Sequence, residues 1–470
     1  MYFKQLVKED LGCASYLVGC TNAGVCAVVD PRLDMVDDIL ELAAARGMQV
    51  TAVIETHNHA DHISGHSEIV RRTGATIYVH ELAGVEYPHT NLKDGAELQF
   101  GVAKLRVMHT PGHRPEHIAL AVSDTSRSDE PWLVLTGDSL FIGDVARPDL
   151  AVAGEEGADA LYESIFERLL KLDDGVEVYP AHVAGSLCGR GMNAKTSSTI
   201  GFERKHNPVI APRSREVFLH EMNEHLPPRP ANMATIVERN RGDYSHQPDP
   251  VIPKALEVQA FQREMQSGAL VVDIRSPQEF SEGHIPGALH VALHGSAFAT
   301  RFGFVAPSDA HLLLVVKDER DLQEAVKQLA VVGYDRVIGS LEGGMAAWQQ
   351  AGLPIEQLRQ VSIDELHTQL RAFTVLDVRD QSEWDEGHIE GAIHLPYYLI
   401  EQHLQEGHNE LRPDAGQPMA VICASGQRSA IASALLQKHG FTNISNVVGG
   451  MDEWDRTGFE KVKRFRIGTA

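Results

Sequence analysis

The sequence predicts a multidomain α/β protein in which a metal-binding domain precedes two copies of a smaller domain. Three observations support this prediction. Four apolar runs in the first part of the chain each lead to residue types that bind metals. A motif around Asp273 returns around Asp377, 104 positions later. The chain has 470 residues, which is enough for about three domains of about 100 to 200 residues each.

The segment 56–62 has the sequence THNHADH and follows the apolar run 51–54 after a single residue, Glu55. Imidazole and carboxylate groups are typical ligands of zinc and iron in proteins. The segment therefore predicts a metal site at the end of a strand, in preference to a solvated polar turn. Its candidate ligands are His57, His59, Asp61 and His62.

Three later strand ends carry further candidate ligands. His113 follows a strand and a Pro-Gly turn, which can direct a side chain inward. Asp138 ends the apolar run 132–138, and His182 ends the run 176–182. Because four strand ends finish in this way, we expect them to meet at a common edge of the sheets.

The beginning of the chain predicts two local elements. Residues 16–19 and 25–30 indicate a β-hairpin. Asp34 is expected to cap a following amphipathic helix. The apolar residues that recur at helical spacing in this helix are Val36, Ile39, Leu40 and Ala43.

The HxHxDH motif, followed by His, Asp and His at later strand ends, resembles the metallo-β-lactamase family over residues 1–205. This resemblance implies an αββα sandwich with a metal site at one edge, a fold that hosts many chemistries. Segments 56–65, 136–150 and 197–204 are similar to bacterial persulfide dioxygenases, which oxidise a low-molecular-weight thiol persulfide with oxygen to sulfite and the free thiol. Ala146 departs from the glycine expected before Arg147.

The resemblance implies one Fe(II) per chain, bound by His57, His113 and Asp138. Such a facial set leaves positions open for substrate sulfur and oxygen. The remaining residues of the cluster would orient these ligands from a second layer. In dinuclear zinc relatives such as glyoxalase II, the same residue types complete a second metal site, so zinc stays open as an alternative. These residues are His59, Asp61, His62 and His182.

Two more residues near the predicted site have alternative roles. Arg147 follows Asp138 by nine residues and can hold the carboxylate of a thiol substrate bidentately, or can form an ordinary ion pair. Cys188 follows His182 by six residues. It can relay sulfur at the metal, although a buried small apolar side chain is the favoured interpretation.

The composition excludes several classes of function. Asp and Glu outnumber Lys and Arg by 65 to 42, for a net charge of −23, and no basic cluster favours nucleic-acid binding. The first ten residues lack an apolar signal region, and no apolar run is long enough to span a bilayer. We therefore expect a cytoplasmic protein without membrane contact. The chain has five cysteines, and a disulfide framework is not expected.

Residues 206–254 are expected to form an extension and a linker. Proline is dense there, which is typical of irregular segments. Residues 218–222 nevertheless predict a short helix that packs back on the first domain. Eight of the 22 prolines of the chain lie in this stretch, at positions 208, 212, 227, 228, 230, 248, 250 and 253.

Beyond the linker the chain repeats itself. The segment 272–288 returns as 376–392, and the sequence GGMAAW at 343–348 returns as GGMDEW at 449–454. A period of this length is too long for a solenoid and indicates two copies of a small α/β domain.

Both copies resemble the rhodanese family, over 255–356 and 358–465. The shared D-x-R and G-H-I-x-G-A elements are interpreted as structural, because they fix turns and pair an Asp with an Arg. The chemistry of the family lies in the loop after the fourth apolar strand. In the second copy this loop is 420–429, with a helix expected over 429–438.

The loop of the second copy begins with Cys423. A cysteine that heads a short loop before a helix meets backbone N–H donors and the positive helix end, which stabilise a thiolate or persulfide. Arg428 would add a cation for an anionic acceptor such as sulfite. The loop residues expected to contact substrate are Ala424, Ser425, Gly426 and Gln427.

The first copy contains no cysteine. In the corresponding loop, Asp318, Glu319 and Asp321 would repel an anionic substrate. This copy is interpreted as an inactive rhodanese-like domain that packs the two active domains together or forms an oligomer surface.

The favoured hypothesis is a persulfide dioxygenase fused to a thiosulfate sulfurtransferase, acting in sulfide detoxification. Its partners would be a small thiol persulfide, oxygen, and sulfite or thiosulfate, with the direction of the Cys423 step open and a homo-oligomer expected. One alternative is a dinuclear zinc thioester hydrolase of the glyoxalase II type with a rhodanese appendage. Another is a sulfur carrier or scaffold with a vestigial metal site.

Overall fold

The computed structural model describes residues 1–463 except 9, 212–213, 225, 227, 243–250, 408–410 and 412–417. The chain divides into two compact units. The first comprises Met1–Asp249 with Lys327–Gly333, and the second Pro250–Val326 with Tyr334–Ala470. Within the described ranges, no helix has the length and apolar character needed to cross a bilayer.

The first unit contains two six-stranded sheets. In one sheet the strands lie in chain order, and in the other the order is β12-β11-β10-β9-β8-β7. The first sheet consists of β1 (Tyr2–Lys8), β2 (Cys13–Cys20), β3 (Val25–Val29), β4 (Gln49–Ile54), β5 (Thr76–His80) and β6 (Thr90–Leu92). The second consists of β7 (Glu97–Phe100), β8 (Ala103–His109), β9 (Ile118–Asp124), β10 (Leu133–Gly137), β11 (Glu177–Pro180) and β12 (Ser198–Thr199).

Helices cover the outer face of each sheet. Ile39 and Ile69 pack with Val53 on the first sheet, and Leu161 and Phe218 pack with the second. The helices of this unit are α1 (Val36–Ala45), α2 (His66–Thr73), α3 (Gly154–Tyr162), α4 (Ile200–His206), α5 (Arg215–Asn223) and α6 (Met233–Arg241). A π-helical segment, Glu163–Arg168, continues α3.

The main apolar core of the unit lies between the two sheets. Val18 and Ile54 of the first sheet are buried in one cluster with Leu105, Leu120 and Leu135 of the second. The layers therefore run helix, sheet, sheet, helix, and the predicted αββα sandwich is confirmed.

The predicted hairpin is confirmed, because β2 and β3 pair antiparallel with Tyr16 opposite Val29. The prediction that Asp34 caps the first helix is wrong. Asp34 lies in a 3-10 turn before α1, and its carboxylate accepts hydrogen bonds of 2.6 and 2.7 Å from the buried guanidinium of Arg32. The N-cap position of α1 is Met35, and no side chain caps this helix.

The proline-rich stretch is more regular than predicted. The helix expected at 218–222 is confirmed as α5, which Ser214 caps and which buries Phe218 and Met222. The helix α6 in the same stretch was not predicted. The prolines at 212, 227, 248 and 250 lie outside the described residues.

The second unit contains two five-stranded parallel sheets with the same topology. Their orders are β13-β17-β16-β14-β15 and β18-β22-β21-β19-β20. The first sheet consists of β13 (Ala255–Leu256), β14 (Leu270–Asp273), β15 (Leu289–His290), β16 (Leu312–Val315) and β17 (Val337–Leu341). The second consists of β18 (Arg359–Val361), β19 (Thr374–Asp377), β20 (Ile393–His394), β21 (Met419–Ile422) and β22 (Ile444–Val447).

Ten helices accompany these sheets within the described residues. Those of the first copy are α7 (Val258–Gln266), α8 (Pro277–Glu282), α9 (Phe298–Val305), α10 (Glu319–Val331) and α11 (Gly344–Gln350). Those of the second copy are α12 (Ile363–Thr368), α13 (Gln381–Glu386), α14 (Ile400–Gln405), α15 (Gln427–Lys438) and α16 (Gly450–Thr457). The predicted duplication of a small α/β domain is confirmed.

The repeated D-x-R motif makes the same contacts in both copies. Arg275 donates to Asp273 at 2.9 Å, and Arg379 donates to Asp377 at 3.0 Å. Each guanidinium also donates to a backbone carbonyl beyond the next helix. The motif therefore ties a strand end to a later turn, in agreement with its structural interpretation.

The helix α15 is buried along most of its length. Every residue from Ser429 to Leu436 is buried. The helix contacts β21 and β22 of its own sheet, and it also contacts β15 of the first copy. It begins two residues earlier than predicted, at Gln427.

Candidate metal centre and sulfur-transfer loop

The ends of β4, β8, β10 and β11 meet at one edge of the sandwich, as predicted. There His57, His113 and Asp138 lie together and are buried. Nε2 of His113 is 3.5 Å from Oδ2 of Asp138, and Nε2 of His57 is 3.8 Å from the same oxygen. The three side chains thus converge on one point, although they come from different strand ends.

The converging atoms fit a metal ion. Among the described residues, Nε2 of His57, Nε2 of His113 and Oδ2 of Asp138 have no hydrogen-bond partner. Buried polar atoms are paired in the great majority of cases, so three unpaired ones facing each other call for a cation. All three lie within 4.8 Å of one another. Two imidazoles and a carboxylate form a ligand set that transition metals accept.

Each ring is held with its Nε2 lone pair facing the site. Nδ1 of His113 lies 3.0 Å from the carbonyl of Arg147, and since a carbonyl only accepts, Nδ1 carries the proton. The hydroxyl of Thr56 donates to Asp30 at 2.8 Å, so it must accept from Nδ1 of His57 at 2.9 Å. Burial lowers the pKa of both rings, which keeps them neutral and able to bind a metal.

Asp138 is positioned by a histidine that the sequence analysis missed. Nε2 of His117 accepts the backbone N–H of Asp138 at 2.8 Å, while Nδ1 of His117 donates to the carbonyl of Thr110 at 3.0 Å. The spacing of four residues from His113 was a usable signal. Asp30 was also missed as a supporting residue, because its contact with Thr56 arises only in the folded sheet.

His182 bridges two carboxylates. Its Nδ1 is 2.7 Å from Asp138 and its Nε2 is 2.7 Å from Asp61. Burial alone would lower the pKa of His182, but the charges of Asp138 and Asp61 hold it well above the usual value. Through these two contacts His182 can orient the carboxylate of Asp138, the role that the resemblance implies for it.

A second group of potential ligands surrounds His182. It brings ligand atoms of four residues within 4.8 Å of one another, namely Cys13, Asp61, His62 and His182. Cys13 was not among the predicted site residues, yet its Sγ lies 3.6 Å from Asp61 and 3.7 Å from Nδ1 of His62. No local pattern marks Cys13, because these neighbours come from a distant loop. A second metal therefore remains compatible with the geometry.

His59 belongs to neither of these groups but lies in a third group of potential ligands, with Asp30 and Glu55. Its Nε2 lies 3.3 Å from Asp30 and 3.4 Å from Glu55. Burial opposes protonation of His59, but the two carboxylates raise its pKa well above the usual value. The two acids beside His59, Asp30 and Glu55, were not selected by the sequence analysis.

The guanidinium of Arg147 is committed to another residue. It forms a bidentate ion pair with Asp149 at 2.7 and 2.9 Å and is buried. Arg229 pairs with the same carboxylate. Of the two roles considered for Arg147, the structure shows the ion pair. What Arg147 presents to His113 is its backbone carbonyl.

Cys188 is buried beside the metal ligands. Its Sγ, an oxygen of Asp138 and a nitrogen of His182 lie within 4.8 Å of one another. Phe141 and Ala146 pack around it. Burial raises the pKa of Cys188 well above the usual value, so it is a neutral thiol. The apolar packing agrees with the favoured interpretation, while the position also suits the predicted sulfur relay.

In the second unit, Cys423 heads the loop between β21 and α15. Its sulfur accepts the backbone N–H of Gly426 at 3.1 Å and lies 3.3 Å from the hydroxyl of Ser429. The loop carbonyls of Cys423 and Ala424 turn outward, where they accept N–H groups of α16 at 2.8 and 2.9 Å. The loop therefore directs one backbone donor, the N–H of Gly426, toward the sulfur.

Arg428 lies in the predicted loop but has carboxylate partners. Its guanidinium donates to Glu383 twice at 2.6 Å and to Asp380 at 2.9 Å. Two acids thus compensate its charge. Arg428 is therefore held at the start of α13. Because its charge is already compensated, it is not free to bind sulfite as predicted.

The loop of the first copy closes on itself. The carboxylate of Asp318 accepts the backbone N–H groups of Arg320 and Asp321 at 2.9 and 3.0 Å. These are donors at the start of α10, where an anionic substrate would otherwise bind. Asp318 thus supplies the anion itself, which agrees with the inactive interpretation of this copy.

Comparison with known proteins agrees with both architectures. The profile of the Metallo-beta-lactamase superfamily matches residues 9–182. The profile of the Rhodanese-like domain matches residues 257–351 and 362–457. The chain is a fusion of a metallo-β-lactamase domain with two rhodanese-like domains.

The metallo-β-lactamase domain has relatives with two different activities. Persulfide dioxygenase ETHE1, mitochondrial, from Bos taurus is 29% identical over 229 residues, covering 48% of this chain and 82% of that protein. A hydroxyacylglutathione hydrolase from Polaromonas sp. is 28% identical over 262 residues, covering 54% of this chain and 94% of that protein. The persulfide dioxygenase homologues and the rhodanese-like domains together indicate an enzyme of sulfur metabolism.

A solved structure also extends over more than the metallo-β-lactamase domain. The crystal structure of a metallo-beta-lactamase from Staphylococcus aureus subsp. aureus COL shares 28% identity and a TM-score of 0.65. It covers 73% of this chain and 98% of that chain. The fold and the homologues imply a bound metal, in agreement with the converging ligand atoms.

Proposed function

We propose that the metallo-β-lactamase domain is a persulfide dioxygenase with one iron bound by His57, His113 and Asp138. The reaction converts a thiol persulfide, oxygen and water into the thiol and sulfite. The carrying observation is the convergence of three unpaired buried ligand atoms from these residues. His182, by contrast, has each ring nitrogen 2.7 Å from a carboxylate oxygen, of Asp138 and of Asp61. These contacts support one metal position at His57, His113 and Asp138.

A ferrous ion with two imidazoles and one carboxylate keeps positions open for a substrate sulfur and for oxygen. The protein's part is to hold the ligands in place. Thr56 and the carbonyl of Arg147 fix the proton of each imidazole on Nδ1. Nε2 of His117 accepts a hydrogen bond from the backbone N–H of Asp138. Nδ1 of the protonated His182 ring lies 2.7 Å from Oδ1 of the same residue. Such supporting contacts commonly decide metal affinity.

The second rhodanese-like domain would then act on the product. A persulfide on Cys423 carries a sulfur that sulfite can remove, which yields thiosulfate and the Cys423 thiolate. The N–H of Gly426 and the hydroxyl of Ser429 stabilise that thiolate. The same residues also support the reverse direction, in which thiosulfate loads Cys423.

Purified protein with its native metal tests the dioxygenase. We expect iron at about one per chain and oxygen uptake with glutathione persulfide. His113→Ala should lose both, whereas His220→Ala, at an exposed histidine of α5, should keep both. Zinc without oxygen uptake would refute the proposal.

A dinuclear thioester hydrolase is the second candidate. Two observations favour it, the likeness to a hydroxyacylglutathione hydrolase and the second ligand group around His182. Its test is turnover of a glutathione thioester by zinc-loaded protein. Thioester turnover together with two zinc ions per chain would replace the dioxygenase proposal.

A further inference from the structure

An arginine of the first rhodanese-like domain reaches the cysteine loop of the second. Arg301 lies in α9, and its Nη1 donates to the side-chain oxygen of Gln427 at 2.5 Å. Its Nη2 donates to the hydroxyl of Ser296 at 2.8 Å. Gln427 is the first residue of α15 and follows the loop residues of Cys423 directly. The inactive domain thus contributes a side chain to the rim of this loop.

The charge of Arg301 has no acidic partner. Within the described residues, no carboxylate lies at ion-pair distance from its guanidinium, and both of its hydrogen bonds go to neutral oxygens. A guanidinium has five N–H donors, so three are left for another group. Arg428 differs, because Asp380 and Glu383 already compensate its charge. Arg301 therefore differs from Arg428 in having no counter-ion at ion-pair distance among the residues that the structure describes.

The surroundings of Arg301 strengthen its attraction for an anion. Burial lowers the pKa of Arg301 and the charge of Arg428 adds to this effect, while Tyr397, Cys423 and the more distant Asp380 act to raise the pKa. Phe304, one turn along α9, packs on Tyr398 with ring centroids 5.1 Å apart. In such a partly desolvated place, a charge-assisted hydrogen bond is stronger than in water.

We propose that Arg301 binds the anionic sulfur compound that exchanges sulfur with Cys423, a sulfur oxyanion of the sulfite or thiosulfate class. The first rhodanese-like domain thereby completes the substrate site of its active neighbour, although it has no cysteine of its own. This inference rests on the proposed sulfurtransferase activity of Cys423. Arg301 sets the affinity for the anion and leaves the bond exchange to the cysteine.

The exchange balances without a further reactant. The lone pair of the sulfite sulfur attacks the outer sulfur of the Cys423 persulfide and forms the sulfur–sulfur bond of thiosulfate. The bond within the persulfide breaks, and its electron pair leaves on the Cys423 sulfur as a thiolate. Sulfite sulfur is oxidised and the persulfide is reduced. Arg301 holds the oxygens of the oxyanion, which keep their negative charge throughout.

Steady-state kinetics of the full chain with thiosulfate and cyanide test the proposal. Loss of a charge-assisted hydrogen bond costs about 1.5 to 3 kcal/mol, or about 10- to 100-fold in affinity. We expect Arg301→Gln to raise KM for thiosulfate by about that factor with little change in kcat, and Arg301→Lys to recover part of it. Arg263→Gln, at an exposed arginine of α7, should match the wild type.

The outcomes separate this inference from the function on which it rests. No difference between wild type and Cys423→Ser would refute the sulfurtransferase itself. Cys423-dependent transfer with an unchanged KM in Arg301→Gln would refute only the role of Arg301. If Arg301→Gln does not fold, titration calorimetry with sulfite tests the proposal instead. It compares the affinity of Cys423→Ser for sulfite with that of Cys423→Ser/Arg301→Lys. Weaker binding by the double variant supports the proposal, and equal binding overturns it.

Discussion

The hydroxyl of Thr56 accepts a hydrogen bond from Nδ1 of His57 at 2.9 Å and donates one to the carboxylate of Asp30 at 2.8 Å. This short chain fixes the tautomer of a candidate metal ligand without touching the metal position. It also links Thr56, two residues after β4, to Asp30, which directly follows the neighbouring strand β3. The orientation of the ligand thus depends on the pairing of two strands.

Thr56→Val should weaken metal binding while the fold persists. The change removes the acceptor of the Nδ1 proton, so the ring is no longer held with Nε2 toward Asp138. Loss of a supporting contact typically costs about 10- to 100-fold in metal affinity. Competition with a chelator measures it. Thr56→Ser keeps the hydroxyl and should bind metal like the wild type, and equal affinity for all three proteins would contradict the role of Thr56.

Arg147→Ala should mainly destabilise the protein. Breaking a buried ion pair costs about 3 to 5 kcal/mol, because the partner is left with an uncompensated charge. Here Asp149 would retain only Arg229, which is half-exposed, so we expect about 3 kcal/mol. Denaturant unfolding measures the change. Arg229→Ala should cost no more than about 1 kcal/mol. A raised KM for the persulfide at unchanged stability would instead support the predicted role of Arg147, in which it binds the carboxylate of the substrate.

The Asp149 pair should also give a pH-dependent stability. Burial acts to raise the pKa of Asp149, but hydrogen bonds from Arg147 and Arg229 lower it to about 2. Since the folded pKa lies below the unfolded value of about 3.9, the stabilisation is present above about pH 4 and is lost as the pH falls toward 2. The stability difference between the wild type and Asp149→Asn, measured from pH 6 downward, should therefore shrink. A constant difference would refute the assignment.

Gly450→Ala should disrupt the cysteine loop. Gly450 has a φ of +56°, and an added Cβ would overlap the carbonyl oxygens of Cys423 and Ala424. The equivalent Gly344 of the first copy has a φ of +58°, but its nearest neighbour would be the carbonyl of Val316 at 3.7 Å. Gly344→Ala should cost only about 1 kcal/mol of strain. Sulfur transfer should fall in Gly450→Ala but not in Gly344→Ala. Similar losses in the two variants would argue against a close approach of Gly450 to the carbonyls of the cysteine loop.

Cys423→Ser should leave oxygen consumption largely intact and stop thiosulfate formation. The two reactions use side chains of different domains, so removing the thiol affects only the second. Oxygen uptake and thiosulfate are measured in the same sample. Loss of both activities would mean that the two domains share an obligatory sulfur relay.

The fold and the position of the site were predictable because their signals are local. His57, His113, Asp138 and His182 each follow an apolar run, and strand ends of one sandwich share an edge. The motif around Asp273 recurs around Asp377 in nearly the same form, so the amino-acid sequence was sufficient to indicate the duplicated domain.

The partners of the charged residues could not be predicted. Arg147 lies two residues from Asp149, yet only the fold of the loop shows that the pair is buried. Arg428 meets Glu383, which is 45 positions earlier in the chain. Cys13 and Arg301 carry no motif, because their neighbours come from distant segments. Which ion pairs form depends on tertiary packing, and no short sequence motif indicates that packing.

The burial of α15 on two sides has a consequence for how the second unit unfolds. The helix carries the residues next to Cys423, and it contacts both its own sheet and β15 of the first copy. Neither copy can therefore melt without uncovering apolar surface of the other. We expect one cooperative thermal transition for both, and a fragment cut between them to aggregate. The copy without a cysteine thus covers one side of the helix that follows the cysteine loop of its neighbour.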